Sequence, residues 1–169
     1  MKLLAIDPGG ACLGWAYFID RRLVGCGLSR SKAKSLAGRI EDHLSELDTA
    51  SVEAVVCERM VWRGRSAKSG PQDLMDLNII AGRLGTVWVT PEQWKGCVPK
   101  EIHQPRILSR LMMEELYLVR AVLPPSLRHN AIDAVGIGLH HLGRLTVDVQ
   151  SKREYRRPHT TRKKVTRKK

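Results

Sequence analysis

No apolar run in the 169-residue sequence approaches the ~20 residues that a bilayer-spanning helix requires, which excludes a helical membrane protein. No secretory leader is visible either, because Met1-Lys2 leads directly into a strand-like segment, so a cytoplasmic protein is expected. The cysteines Cys12, Cys26, Cys57 and Cys97 show no CxxC spacing and mostly lie inside apolar runs. Small buried thiols kept reduced are therefore expected, in preference to a zinc site or disulfides. No internal repeat is present. Acids are scarce: 17 Asp+Glu stand against 29 Lys+Arg, a net charge of +12.

Most of that surplus is local. Residues 151–169, SKREYRRPHTTRKKVTRKK, hold ten Lys/Arg and one Glu, so the remaining 150 residues carry only +3. A segment of this composition cannot bury enough apolar area to order itself and is expected to be disordered. Its natural partner is a polyanion, nucleic acid first, although a solubilising tail has the same composition. The chain thus divides into one domain over residues 1–145 and a basic tail over 146–169.

With 43% hydrophobic residues, the domain can build a core. Strands are predicted at residues 3–6 (LLAI), 14–19 (GWAYFI), 22–28 (RLVGCGL), 54–57 (AVVC) and 86–90 (TVWVT). The second and third are joined closely enough to form a hairpin. Helical spacing of apolar residues predicts helices over 35–47, 74–84, 106–122 and 126–142, the last N-capped by Ser126 after Pro124-Pro125. Residues 61–71, polar, basic and glycine-containing, form a loop. The order β-β-β-α-β-α-β-α-α implies an α/β fold: a mixed five-stranded sheet with helices on both faces.

Three carboxylates stand where burial makes them expensive. Asp7 follows LLAI, Glu58 follows AVVC, and Asp133 lies among Ala131, Ile132, Ala134 and Val135. A charge at the end of a buried strand must be solvated, paired or bound to a cation. If the first and fourth strands are neighbours, Asp7 and Glu58 leave the same sheet edge, and Asp133 leans over it, with Asn130 and His129 on its face of the helix. Such an oxygen-rich, open set suits Mg²⁺ or Mn²⁺. Two such ions could activate water and stabilise a leaving oxygen in phosphodiester hydrolysis. Taken singly, each acid is weak evidence, because a strand-terminal Asp is more often a turn former or a cap. His103, His140 and His141 make no metal pattern and are expected at the surface.

IDPGGACLGWAYF, VVCERM and RHNAIDAVGIGLHHL, in this order, resemble the RuvC-type Holliday junction resolvases of the RNase H-like superfamily, in a phage or bacterial version; if phage-encoded, its place is the host cytoplasm. The resemblance covers residues 1–145. It implies an RNase H-like fold and a homodimer that cuts four-way DNA junctions symmetrically, leaving 5′-phosphate and 3′-hydroxyl ends. It also implies Mg²⁺, with Mn²⁺ able to substitute, at two ions per site, and no membrane partner or small-molecule cofactor. Asp7, Glu58 and Asp133 would be the metal ligands. The family carries Asp or His three residues before its final Asp; here that slot is Asn130, which can offer a carbonyl oxygen but cannot act as a base, with His129 beside it as the other candidate.

Resolvases of this family place an aromatic or apolar residue after the second acid, near the junction's unstacked centre. Trp62, flanked by Arg59, Arg63, Arg65 and Lys68, either stacks on a splayed base while the cations hold phosphates or packs beneath its loop. Trp94 and Lys95 resemble the family's second basic segment, where a cation could stabilise phosphate charge; a solvated lysine is the plainer role for Lys95. Lys100 and Arg106 are further DNA-binding candidates. Three other functions share parts of this pattern. Actin-like and sugar-kinase ATPases also open on an Asp-Gly turn, but their second acidic motif and glycine-rich adenosine motif are missing. A non-catalytic RNase H-like module would explain the charge and fold, and an RNase H-type or other branched-DNA nuclease would share the metals.

Overall fold

The protein is described by a computed structural model over residues 1–61, 70–96 and 98–146. β1 (Lys2–Asp7), β2 (Cys12–Ile19) and β3 (Arg22–Arg30) form an antiparallel meander; β4 (Ala54–Glu58) and β5 (Val87–Val89) add to it in parallel. The five-stranded sheet has the order β3-β2-β1-β4-β5, so β1 is central and is flanked by one antiparallel and one parallel neighbour. At the β2–β3 turn Asp20 and Arg21 both take positive φ (47° and 70°), the conformation that two-residue hairpins favour because it matches strand twist.

Alternation along β1 sends side chains to two cores. Leu4 and Ile6 pack with Val55 and Cys57 of β4 against α1 (Leu36–Glu46) and α2 (Pro71–Leu84), chiefly through Ile40, Ile80, Ala81 and Leu84. Leu3 and Ala5 pack with Val56 on the opposite face, against a layer that includes Trp94, Ile107, Val119 and the apolar run of α6 (Arg128–His141). Helices thus cover both faces, as the sequence predicts. Ser35 caps α1, its hydroxyl accepting from the Gly38 N–H at 3.1 Å. No helix among the described residues is long and apolar enough to cross a membrane.

Two predicted boundaries are corrected. The helix expected over 106–122 is two: α4 (Lys100–Leu108) and α5 (Met113–Ala121), preceded by a single turn, α3 (Pro91–Trp94). The break is fixed by Glu115, whose carboxylate accepts from the Met112 N–H at 2.9 Å and so caps α5 at its start. The last helix begins at Arg128 and is not capped by the Ser126 side chain. Ser126 instead lies in a 3-10 turn, Pro125–Leu127, and its carbonyl accepts from His129 Nδ1 at 3.0 Å. Cys12, Cys26 and Cys57 are free thiols, and burial pushes those of Cys26 and Cys57 up to about 12; Cys97 lies outside the described residues.

Candidate active site

The strand register sets where the first two acids point. Ile6 is paired with Cys57 across the parallel β1–β4 seam, so Asp7 and Glu58 occupy the next position on each strand. By alternation both turn toward the face that carries Leu3, Ala5 and Val56, which is the face covered by α6. Parallel neighbours end at the same sheet edge; an antiparallel pair would have put the two acids at opposite ends.

The third acid arrives through a close helix–sheet approach. Gly14 sits opposite Asp7 on β2, and an ideal Cβ on it would lie 2.0 Å from the carbonyl oxygen of Asn130. Only glycine lets the first turn of α6 lie this low over the hairpin. Asp133, one turn on, is buried at 8% exposure, which a carboxylate tolerates only with partners. Gln104 Nε2 donates to its Oδ1 at 3.3 Å, and Lys100 Nζ lies 3.3 Å from its Oδ2.

Glu58 is more deeply placed, at 1% exposure. Its Oε1 accepts from the Trp94 indole N–H at 3.0 Å and lies 3.0 Å from Lys95 Nζ, while its Oε2 is buried with no partner. Asp7 is half-buried. Burial, and after it the charges of Glu58 and Asp133, hold the Asp7 carboxyl well above the usual carboxylate range, and Lys95 offsets only part of this. The acids therefore repel one another, with two lysines as their counter-charges. Among the described residues no group of three or more His, Cys, Asp and Glu side chains stands close enough together to hold a metal ion as the chains lie. In kind, the donor set still suits a hard cation: all oxygen, with one buried oxygen unclaimed.

The remaining candidates are placed as follows. The Asn130 amide donates to Cys12 Sγ at 3.8 Å, and His129 lines a cavity of ≈ 380 Å³ with Lys100, Glu101 and Gln104. Neither has a hydrogen bond to a carboxylate of the set. Arg59 borders a separate cavity of ≈ 330 Å³ beside Asn78 and Trp88. The Arg106 guanidinium donates to the Thr146 carbonyl. Trp62, Arg63, Arg65 and Lys68 lie outside the described residues, as does the tail from residue 147.

Two contributors escaped sequence reasoning. Gln104 carried no motif at all. His103, expected at the surface, is buried at 2% exposure and stands edge-on to Trp94, with ring centroids 4.8 Å apart. Burial, with the positive charges of Lys95 and Arg106, pushes its imidazole down to about 4 against the pull of Asp133, so it is neutral at physiological pH. An i, i+4 pairing of His103 with buried Ile107 was the available signal.

No protein-family model matches the sequence, and no curated protein matches it. Solved structures do match. A fowlpox virus resolvase, determined with its Holliday junction DNA substrate, superposes with a TM-score of 0.53 at 14% identity, over 85% of this chain and 97% of that one. Thermus thermophilus RuvC superposes with a TM-score of 0.50 at 19% identity, over 86% and 99%. With its mixed five-stranded sheet, helices on both faces and these structural neighbours, the chain has an RNase H-like α/β fold.

Proposed function

We propose that this protein is a divalent-metal-dependent endonuclease that resolves four-way DNA junctions. The observation that carries the proposal is that Asp7 of β1 feels the charges of Glu58 on β4 and Asp133 on α6, with Glu58 Oε2 buried and unpartnered. An isolated buried carboxylate oxygen is costly, and a bound cation is the partner that fits an all-oxygen set. The fowlpox resolvase, solved with a junction, shares the fold and supports that choice of substrate.

Asp7, Glu58 and Asp133 would hold Mg²⁺ or Mn²⁺, which supplies an activated water and charge stabilisation at the phosphate. Asn130 is the candidate for a further oxygen. Lys95 and Lys100, now paired with Glu58 and Asp133, are placed to turn to phosphate oxygens when the acids are otherwise neutralised. Hydrolysis would leave 5′-phosphate and 3′-hydroxyl nicks. The basic tail, with its surplus of nine positive charges, would add phosphate contacts. Symmetric nicking calls for a homodimer. Met75 and Ile79 of α2 and Trp88 of β5 are exposed apolar residues on which a second copy could pack.

One observation favours a second function. The lysines already neutralise Glu58 and Asp133, as they would in a nucleic-acid-binding module without catalysis. Asp7→Asn and Glu58→Gln, assayed on a synthetic four-way junction with Mg²⁺, separate the two. The nuclease predicts retained binding with a steep loss of cleavage. A wild-type protein that binds junctions and never cuts them is the module, and one that cuts RNA–DNA hybrids instead is an RNase H-type enzyme.

A further inference from the structure

The two oxygens of Glu58 live in unequal surroundings. Oε1 has two partners, Trp94 Nε1 and Lys95 Nζ, each at 3.0 Å, and Oε2 has none. The partners differ in how firmly they are held. The Lys95 side chain is 29% exposed on a flexible stem, whereas Trp94 is wholly buried.

The indole is fixed from several sides. The α3 turn that carries it is pinned by Gln93 Oε1, which accepts from the Thr90 N–H at 2.7 Å. His103 stands edge-on at 64° to the ring plane. On α6, Gly136 has no side chain, and a Cβ there would come within 2.6 Å of the indole. His103 has no hydrogen-bond partner at either nitrogen, so it serves here as a flat wall. An indole N–H is a donor only, with no acceptor and no proton to release. It can therefore hold a carboxylate oxygen in one place without competing for its proton.

We propose that Trp94 is a positioning residue for Glu58: its indole N–H pins Oε1 and leaves Oε2 as the oxygen presented to a divalent cation. The inference rests on the nuclease proposal above. It divides the labour on Oε1: Lys95, whose ammonium also lies 4.6 Å from the Trp94 ring centroid, is the partner that can swing out to a phosphate, while the indole stays and keeps the carboxylate from rotating. A hydrogen bond behind a ligand typically governs 10–100-fold in metal affinity.

The test replaces Trp94 site-specifically with benzothienylalanine, which exchanges only the ring N–H for sulfur, with Trp94→Phe in parallel. Mn²⁺ binding to the DNA-free protein is followed by calorimetry, and melting is recorded in EDTA. The expected result is a Kd for Mn²⁺ raised about 10–100-fold in the analogue protein, and likewise in Trp94→Phe if it folds. An analogue protein that melts earlier yet binds Mn²⁺ as wild type does would make Trp94 a packing residue and overturn the proposal. Wild-type protein that takes up no Mn²⁺ would overturn the metal site itself, an outcome plainly distinct from equal affinities.

Discussion

The carbonyl oxygen of Asn130 fills the space that a side chain on Gly14 would need, 2.0 Å from where its Cβ would stand. Backbone cannot yield as a flexible side chain can, so any larger residue must lift the start of α6 off the hairpin. Gly14→Val is expected to cost at least about 1–3 kcal/mol, the usual range for overpacking, measured by urea denaturation. Cleavage should fall further than stability does, because the same shift carries Asp133 away from Asp7.

Glu115 supports a different prediction. It is buried, accepts from the Leu23 N–H at 2.8 Å, and meets Arg144 through two contacts of 2.7 Å. Arg144→Met strands that carboxylate and should cost about 3–5 kcal/mol. Burial pushes the Glu115 carboxyl up, but Arg144 and the backbone N–H groups outweigh it and leave it below its usual 4.5. Its contribution is therefore complete above that value and is lost as pH falls through the lower, folded one. Denaturation midpoints followed from roughly pH 6 to pH 3 should show this loss in wild type and not in Glu115→Gln.

Asp7 has the opposite sign. Its carboxyl is held high in the fold by burial, Glu58 and Asp133, so in chelator its ionisation opposes folding as pH rises. Asp7→Asn should raise stability in EDTA by about 0.5–2 kcal/mol, as relieving strain at a functional site often does. The same variant should gain nothing from added Mn²⁺ and should not cut. Melting curves with and without metal check the stability, and a junction-cleavage assay checks the loss of cutting.

Lys95→Met tests the cation beside Glu58. Losing one preorganised charge donor typically costs about 10²–10³ in kcat, and that drop is expected on a junction under single-turnover conditions, with little change in junction affinity.

The tail can be tested by truncation after Gln150. Each phosphate contact removed should flatten the slope of log K against log salt by about 0.9. Filter binding across salt concentrations measures it; an unchanged slope would make the tail a bystander.

The strands and the three acids were legible because their signals are local. LLAI and AVVC are short apolar runs, and a carboxylate at the end of each stands out against them. Even the face on which Asp7 and Glu58 meet follows from alternation once β1 and β4 are neighbours. The division of the predicted 106–122 helix was not legible. Ile107, Leu111, Leu118 and Val122 keep helical spacing throughout. Two contacts stop the helix: a local cap, in which Glu115 turns back to the Met112 N–H, and a tertiary one, in which Arg144 donates to the Arg110 carbonyl at 3.0 Å. The environment of Glu58 was hidden for the same reason. Trp94 lies far along the chain, and nothing in TVWVTPEQWK tells which way its ring turns.

The parallel pairing of β1 with β4 also bears on how the protein is made. Asp7, Glu58 and Asp133 meet only after the first strand has waited for the fourth and the last helix has settled on both. Contacts so distant along the chain form late and slowly. A growing polypeptide on the ribosome therefore carries scattered acids, and the proposed metal site is not assembled until nearly the whole domain has emerged.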